Sequence, residues 1–142
     1  MKLIADSGST KVEWCLVDHG NVVKQIFTSG FNALMLTEEE ISQYLDDELM
    51  FQLGDLAEQV TEVYFYGAGC IDEEVCRNVR RAIRQNLNVA TIEAHSDLLG
   101  AARALFGHNE GIACILGTGS NSCYYNGHEI KDHVSPLGYI LG

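Results

Sequence analysis

Leu3-Ile4-Ala5-Asp6-Ser7-Gly8-Ser9-Thr10-Lys11-Val12 decides the reading of this chain: an apolar strand, a Gly/Ser/Thr turn preceded by one acid, and a second strand that runs on to Val17. A second stretch of the same type, Leu116-Gly117-Thr118-Gly119-Ser120-Asn121, sits between Ile112 to Leu116 and Ser122 to Tyr125. Glycine lets the backbone approach an anion closely, successive N–H groups form an anion-binding nest, and Ser or Thr hydroxyls add donors. Two such turns facing each other would grip a polyphosphate from both sides. Only the first carries an acid, Asp6, which suits the water shell of a Mg²⁺ ion. Neither is a Walker A loop, since no G-x-x-x-x-G-K-[ST] occurs and each turn leads into a strand rather than a helix. One glycine-rich turn alone is ordinary hairpin chemistry. The pairing is the informative feature.

Working outward, residues 2–6, 12–18 and 21–28 read as three strands, with Asp18-His19-Gly20-Asn21 as the tight turn between the second and third. Thr37-Glu38-Glu39-Glu40 is a capping box that opens a helix with Ile41, Leu45 and Leu49 on one face. The acids of that helix read as a solvated surface. Val63 to Tyr66 is a compact strand ending at Gly67-Ala68-Gly69, and a helix from about 72 to 87 follows, its stripe predicted as Ile71, Val75, Val79 and Ile83. Acids at its start and Arg77, Arg80, Arg81 and Arg84 towards its end match the helix dipole, so the arginines read as structural. A strand over 89–94, a helix from Asp97 to Phe106, the hairpin around Gly119 and a last hairpin at Tyr125-Asn126-Gly127-His128 complete the chain. The order predicts an α/β fold of ribonuclease-H-like topology. It has a mixed five-stranded sheet (βββαβαβ), helices on both faces and an extra C-terminal hairpin.

The 142 residues suffice for one domain with a real core, and 46% apolar against 20% charged residues is a globular composition. A net charge of −11 argues against nucleic acid or an anionic membrane as partner. An acidic chain that binds phosphate needs local positive character from backbone nests, helix N-termini, Mg²⁺ or Lys11. The five cysteines contain no C-x-x-C pair. Cys15 and Cys114 lie in apolar runs and are expected to be buried free thiols in a reducing cytoplasm. His19, His108, His128 and His133 show no ligand spacing, and His95 reads as a packed side chain.

His95-Ser96-Asp97 falls where a strand ends and a helix begins, with Ser96 the natural N-cap and Asp97 in the first helical turn. A carboxylate there complements the helix N-terminus, which is reason enough for an Asp. The C-terminal end of a sheet strand is also where sites gather in α/β folds. A carboxylate beside a γ-phosphate could accept the proton of an attacking hydroxyl and help to hold Mg²⁺.

Taken in order, Asp6-Ser7-Gly8-Ser9-Thr10-Lys11, Gly30-Phe31-Asn32, Tyr66-Gly67-Ala68-Gly69, His95-Ser96-Asp97, Leu116-Gly117-Thr118-Gly119-Ser120-Asn121 and Pro136-Leu137-Gly138-Tyr139-Ile140-Leu141-Gly142 resemble the N-acetylglucosamine kinases and the related BadF/BadG-type ATPases of the actin, hexokinase and Hsp70 superfamily. The resemblance runs the length of the chain. It implies that Gly8, Thr10 and Lys11 in the first turn, with Gly117, Thr118 and Gly119 in the second, contact the phosphates of ATP, and that Asp6 faces Mg²⁺. It further implies that Asn32, Ala33 and the Pro136-Leu137-Gly138 segment bind a hexosamine, and that Asp97 is both a sugar ligand and the catalytic base. At Pro136-Leu137-Gly138 the chain departs from the Gly-Trp-Gly-like stretch common in the family. The family has two ribonuclease-H-like domains with ATP between them. The chain therefore reads as the phosphate- and sugar-binding N-terminal half, inactive by itself, of a cytoplasmic kinase that acts on a small-molecule sugar; a homodimer is left open. Two alternatives stand beside it: a sugar- or nucleotide-sensing module without turnover, and an ATPase activator of a dehydratase system. The second would carry a cluster-bridging cysteine set, and the five cysteines show no obvious pair for one.

Overall fold

The computed structural model describes residues 1–117 and 120–134. The chain divides into two compact units, Met1–Ser96 and Asp97–Gly142.

The first unit is built on alternation. In β1 (Lys2–Ser7) the side chains of Leu3, Ala5 and Ser7 are buried while Lys2, Ile4 and Asp6 point the other way, as a pleated strand with one covered face requires. β2 (Lys11–Asp18) and β3 (Asn21–Ser29) repeat the pattern with Val12, Trp14, Leu16 and Ile26. Their turn is set by His19 and Gly20, both at positive φ (46° and 81°), the twist a two-residue hairpin demands. Parallel strands β4 (Glu62–Gly67) and β5 (Thr91–Ser96) complete a sheet of order β3-β2-β1-β4-β5. β1 pairs antiparallel with β2 and parallel with β4, so the predicted mixed five-stranded sheet is present.

The buried face of this sheet packs on two helical segments. Thr37 caps α1 (Glu38–Tyr44) in a complete capping box: its Oγ1 accepts from Glu40 N at 3.2 Å, and Glu40 Oε2 accepts from Thr37 N at 2.8 Å. The helix continues through a π-helical segment (Leu45–Met50) into a last turn, α2 (Phe51–Leu53), and Ile41, Leu45, Leu49 and Leu53 are all buried. α3 (Glu73–Asn86) is capped by Asp72, whose Oδ1 accepts from Val75 N at 2.9 Å. Its buried stripe is Cys76, Val79, Ala82 and Ile83. Ile71, predicted to head that stripe, precedes the cap and is 70% exposed. The arginines are structural, Arg80 pairing with Glu73 and Arg81 with Glu38.

The second unit contains α4 (Asp97–Phe106) and a separate antiparallel sheet of order β6-β7-β8, from β6 (Gly111–Leu116), β7 (Ser120–Tyr125) and β8 (Ile130–Val134). The expected C-terminal hairpin is thus a three-stranded sheet. Leu98 and Ala102 of α4 pack on Ala113, Cys123 and Tyr125, and the Tyr125 hydroxyl donates to Gly107 O at 3.0 Å. Ile112, Leu116 and Val134 are exposed, and so is Cys114. The expectation that Cys15 and Cys114 are buried is corrected, since Cys15 is only half-buried and Cys114 is open. An apolar run shows that a strand can be covered, not which of its faces is.

Among the described residues no helix is long and apolar enough to cross a membrane.

Candidate functional site

Three segments meet at the C-terminal ends of the parallel strands, where Ser7, Gly67 and Ser96 fall in register. This is the edge at which α/β sheets place ligands.

The first segment is the turn between β1 and β2. Gly8 N donates to Lys11 O at 3.0 Å, closing a tight hairpin. Asp6, one residue before β1 ends, lies opposite Glu13 of β2 and Tyr66 of β4 and is exposed on the face away from the helices. Lys11 lies with its ammonium 5.5 Å from the centre of the Phe27 ring.

The second segment, Gly30 to Met35, lies against that turn. Gly30 N donates to Thr10 O at 3.0 Å. A Cβ at Gly30 would fall 2.3 Å from Thr10 C, 2.4 Å from Lys11 N and 2.4 Å from Ser9 C, all backbone atoms. Only glycine fits. Asn32 then caps a 3-10 turn (Ala33–Met35), its Oδ1 accepting from Leu34 N at 3.0 Å. With the oxygen so used, the Asn32 Nδ2 donors have no partner among the described residues. Ala33 is buried and its N–H is spent on Ala68 O at 3.1 Å, so its side chain belongs to the core and only its carbonyl remains for a ligand.

The third segment is Gly67-Ala68-Gly69-Cys70. Ala68 N donates to Ser7 O at 2.8 Å while Ala68 O receives Ala33 N, so one residue joins all three segments. Gly69, at φ +82°, packs so tightly that a Cβ would sit 1.8 Å from Asn32 Oδ1.

A polar network anchors the second segment from behind. Trp14 Nε1 donates to Thr28 Oγ1 at 3.0 Å, Thr28 is hydrogen-bonded to the Tyr44 hydroxyl, and that hydroxyl donates to Ser29 O at 2.6 Å. Glu48 Oε2 accepts from Ser29 N at 2.7 Å. Burial pushes the Tyr44 hydroxyl up to about 12, with the nearby Glu48 adding to the rise. The Phe31 ring meets Tyr44 edge-on at 4.8 Å and stacks on Phe65 at 5.8 Å.

Asp97 follows Ser96 directly and opens α4 in the second unit, half-buried, with Oδ1 accepting from Leu98 N at 2.8 Å. His95 pairs with Glu93 at 3.1 Å and stacks on Tyr66, as a packed histidine would. The second turn joins β6 to β7, with Leu116 paired to Ser120. A Cβ at Gly117 would meet nothing within 4 Å among the described residues. Thr118, Gly119 and the Pro136-Leu137-Gly138 segment lie outside the described residues. Asn121 Oδ1 is buried with no partner among those described.

Among the described residues no three His, Cys, Asp or Glu side chains cluster as a metal site. Sequence reasoning quoted Gly30 and Gly69 without giving them a role. Their function is to let backbones touch, a non-local demand that only a Gly-x-Asn or Gly-x-Gly spacing could have hinted at.

No family model and no curated protein matches the chain. Among solved structures it superposes, at TM-score 0.95 and 49% sequence identity over 100% of its length, on the crystal structure of the putative N-acetylglucosamine kinase of Porphyromonas gingivalis. The chain is similar to that protein from end to end and spans 50% of its length. YeaZ from Pseudomonas aeruginosa (18% identity, 96% of this chain and 67% of that one, TM-score 0.48) and the Ppx/GppA-family protein from Aquifex aeolicus (15%, 96% and 51%, 0.47) are more distant.

Proposed function

We propose that this chain supplies phosphate and sugar contacts to an ATP-dependent kinase acting on a hexosamine of the N-acetylglucosamine type. What supports the reading above all is 49% identity along the whole chain to a protein named for that activity. The main-chain bonds that tie the first turn to the Asn32 loop add to it.

In this reading the amides and hydroxyls of Gly8 to Thr10 and of Gly117 to Gly119 hold the phosphates, and Lys11 adds positive charge. Asp6 orients waters of a Mg²⁺ ion, which when bound neutralises charge developing on the transferred group. Asn32, with its Nδ2 donors unspent, holds a sugar hydroxyl or carbonyl oxygen. The Ala33 carbonyl and the Pro136-Leu137-Gly138 segment border it. Asp97 accepts the proton of the attacking sugar hydroxyl. Its place at the start of α4 makes it a weak base, tolerable in a loose phosphoryl transfer where proton acceptance comes late. The adenosine contacts are left to a second domain, as the resemblance implies, and the chain alone is read as inactive.

Phosphotransfer from ATP by the full-length protein that carries this chain, assayed over a panel of hexoses and hexosamines, tests the reading. Turnover selective for N-acetylated hexosamines is expected. ATP hydrolysis with no sugar phosphate formed would overturn it.

A further inference from the structure

Two turns of the second unit carry one histidine each, and the fold brings the rings together. His108 lies in the turn between α4 and β6, and His128 in the turn between β7 and β8. Their ring centres are 6.1 Å apart with the planes tilted by 42°, and both residues are exposed. The candidate site uses neither. We propose that His108 and His128 form a two-imidazole site for a divalent late first-row transition-metal ion (Ni²⁺, Cu²⁺ or Zn²⁺), with water filling the remaining positions.

The separation suits one ion. An imidazole nitrogen holds Zn²⁺ at about 2.1 Å, so the ion stands about 3.2 Å from the ring centre and two rings of a tetrahedral site about 5.2 Å apart. The rings need to approach by only about 1 Å, which rotation about the soft outer torsion of two exposed histidines supplies.

The main chain beneath the rings is fixed. Gly127, at φ +94°, is buried against the first turn, where a Cβ would fall 2.3 Å from His108 O. Asn126 Oδ1 accepts from His128 N at 3.0 Å and from Glu129 N at 2.9 Å. In the other turn Asn109 N donates to Phe106 O at 2.9 Å, and the Tyr125 hydroxyl bonds Gly107 O. Each histidine sits on a closed turn and the turns touch through backbone, so little ordering remains to be done when an ion binds.

The ligand type selects the metal. Imidazole suits Ni²⁺, Cu²⁺ and Zn²⁺, whereas Mg²⁺ and Ca²⁺ ask for oxygen donors. Glu129, beside His128, is ion-paired with Lys131, so that carboxylate is already engaged and two imidazoles are the protein's share of the shell. A bound ion would brace the two turns against each other. The inference stands independently of the proposed function.

Ni²⁺ is the probe, titrated calorimetrically into the full-length protein that carries this chain and into its His108→Ala, His128→Ala and doubly substituted variants. The second imidazole binds intramolecularly once the first has bound, so loss of either should weaken uptake about 100-fold. The double variant should be little weaker than either single one, because an imidazole left alone holds the ion poorly. His133→Ala, exposed on β8, should bind as the parent does. In the parent, paramagnetic Ni²⁺ should broaden the amide NMR signals of residues 107–110 and 126–129 first, a measurement that needs no variant to fold. The proposal is overturned if the parent shows no saturable uptake, if the broadening spares either turn, or if either single variant binds as tightly as the parent.

Discussion

Replacing Gly30 by alanine puts a methyl group where three backbone atoms of the Ser9-Thr10-Lys11 turn already stand, at 2.3 to 2.4 Å. Non-bonded carbons settle near 3.5 Å, so the two segments must part by about 1 Å. That movement breaks the Gly30 N to Thr10 O bond of 3.0 Å. The lost hydrogen bond costs about 1 kcal/mol. Overpacking against main chain, which cannot rotate aside, adds about 1–3 kcal/mol. The sum is about 2–4 kcal/mol. In a unit of this size each kcal/mol moves the midpoint by about 4–8 °C, so thermal unfolding followed by circular dichroism should fall by at least about 8 °C. Gly117→Ala is the control. Its Cβ meets nothing within 4 Å among the described residues, so its midpoint should stay within about 3 °C of the parent. A Gly30→Ala protein as stable as the Gly117→Ala protein would refute the idea that the Gly30 loop and the phosphate-type turn are in backbone contact.

Tyr44→Phe leaves Ser29 O without its hydroxyl donor and Thr28 with Trp14 as its remaining side-chain partner; a loss of about 1–3 kcal/mol is expected by urea denaturation. The folded-state Tyr44 hydroxyl is pushed up to about 12 from an ordinary 10, so its stabilising effect is complete below pH 10 and is lost as pH rises towards 12. Over that window stability should fall more steeply in the parent than in Tyr44→Phe, and parallel curves would count against the buried hydroxyl. In the full-length protein, Asp97→Asn keeps the shape but removes the proton acceptor; steady-state turnover should drop about 100- to 10,000-fold with little change in ATP binding, and near-normal turnover would return Asp97 to a helix-start role. The isolated chain should bind Mg·ATP with a dissociation constant of about a millimolar or weaker, because phosphate nests alone leave most of the nucleotide in water. A micromolar value by calorimetry would contradict the two-domain reading.

Where geometry is local, the sequence was readable. The apolar runs at 2–6 and 12–18 read directly as strands, and Thr37 with Glu40 announces a capping box that is present in both directions. The failures are instructive. A four-residue spacing drifts around a helix axis by about 40° per step, and Asp72 takes the cap, so Ile71 is left outside and Cys76 and Ala82 enter the stripe instead. Burial of Cys114 was misjudged because nothing within β6 tells which side receives α4. Asp6, Asn32 and Asp97 stand out in the sequence by residue type and position, while Gly30, Ala68 and Gly69 acquire their roles only from residues distant in the chain.

The three segments at the strand ends are joined almost wholly through main-chain atoms: Gly30 to Thr10, Ala68 to Ser7, and Ala33 to Ala68. Amides and carbonyls are the same in every residue, so the scaffold makes strict demands at two glycines and few at its other positions. Leu34 and Met35, 50% and 75% exposed beside Asn32, can therefore drift during descent without moving the frame that holds them. An ancestor with this layout could exchange side chains at the rim and keep its backbone frame through every intermediate.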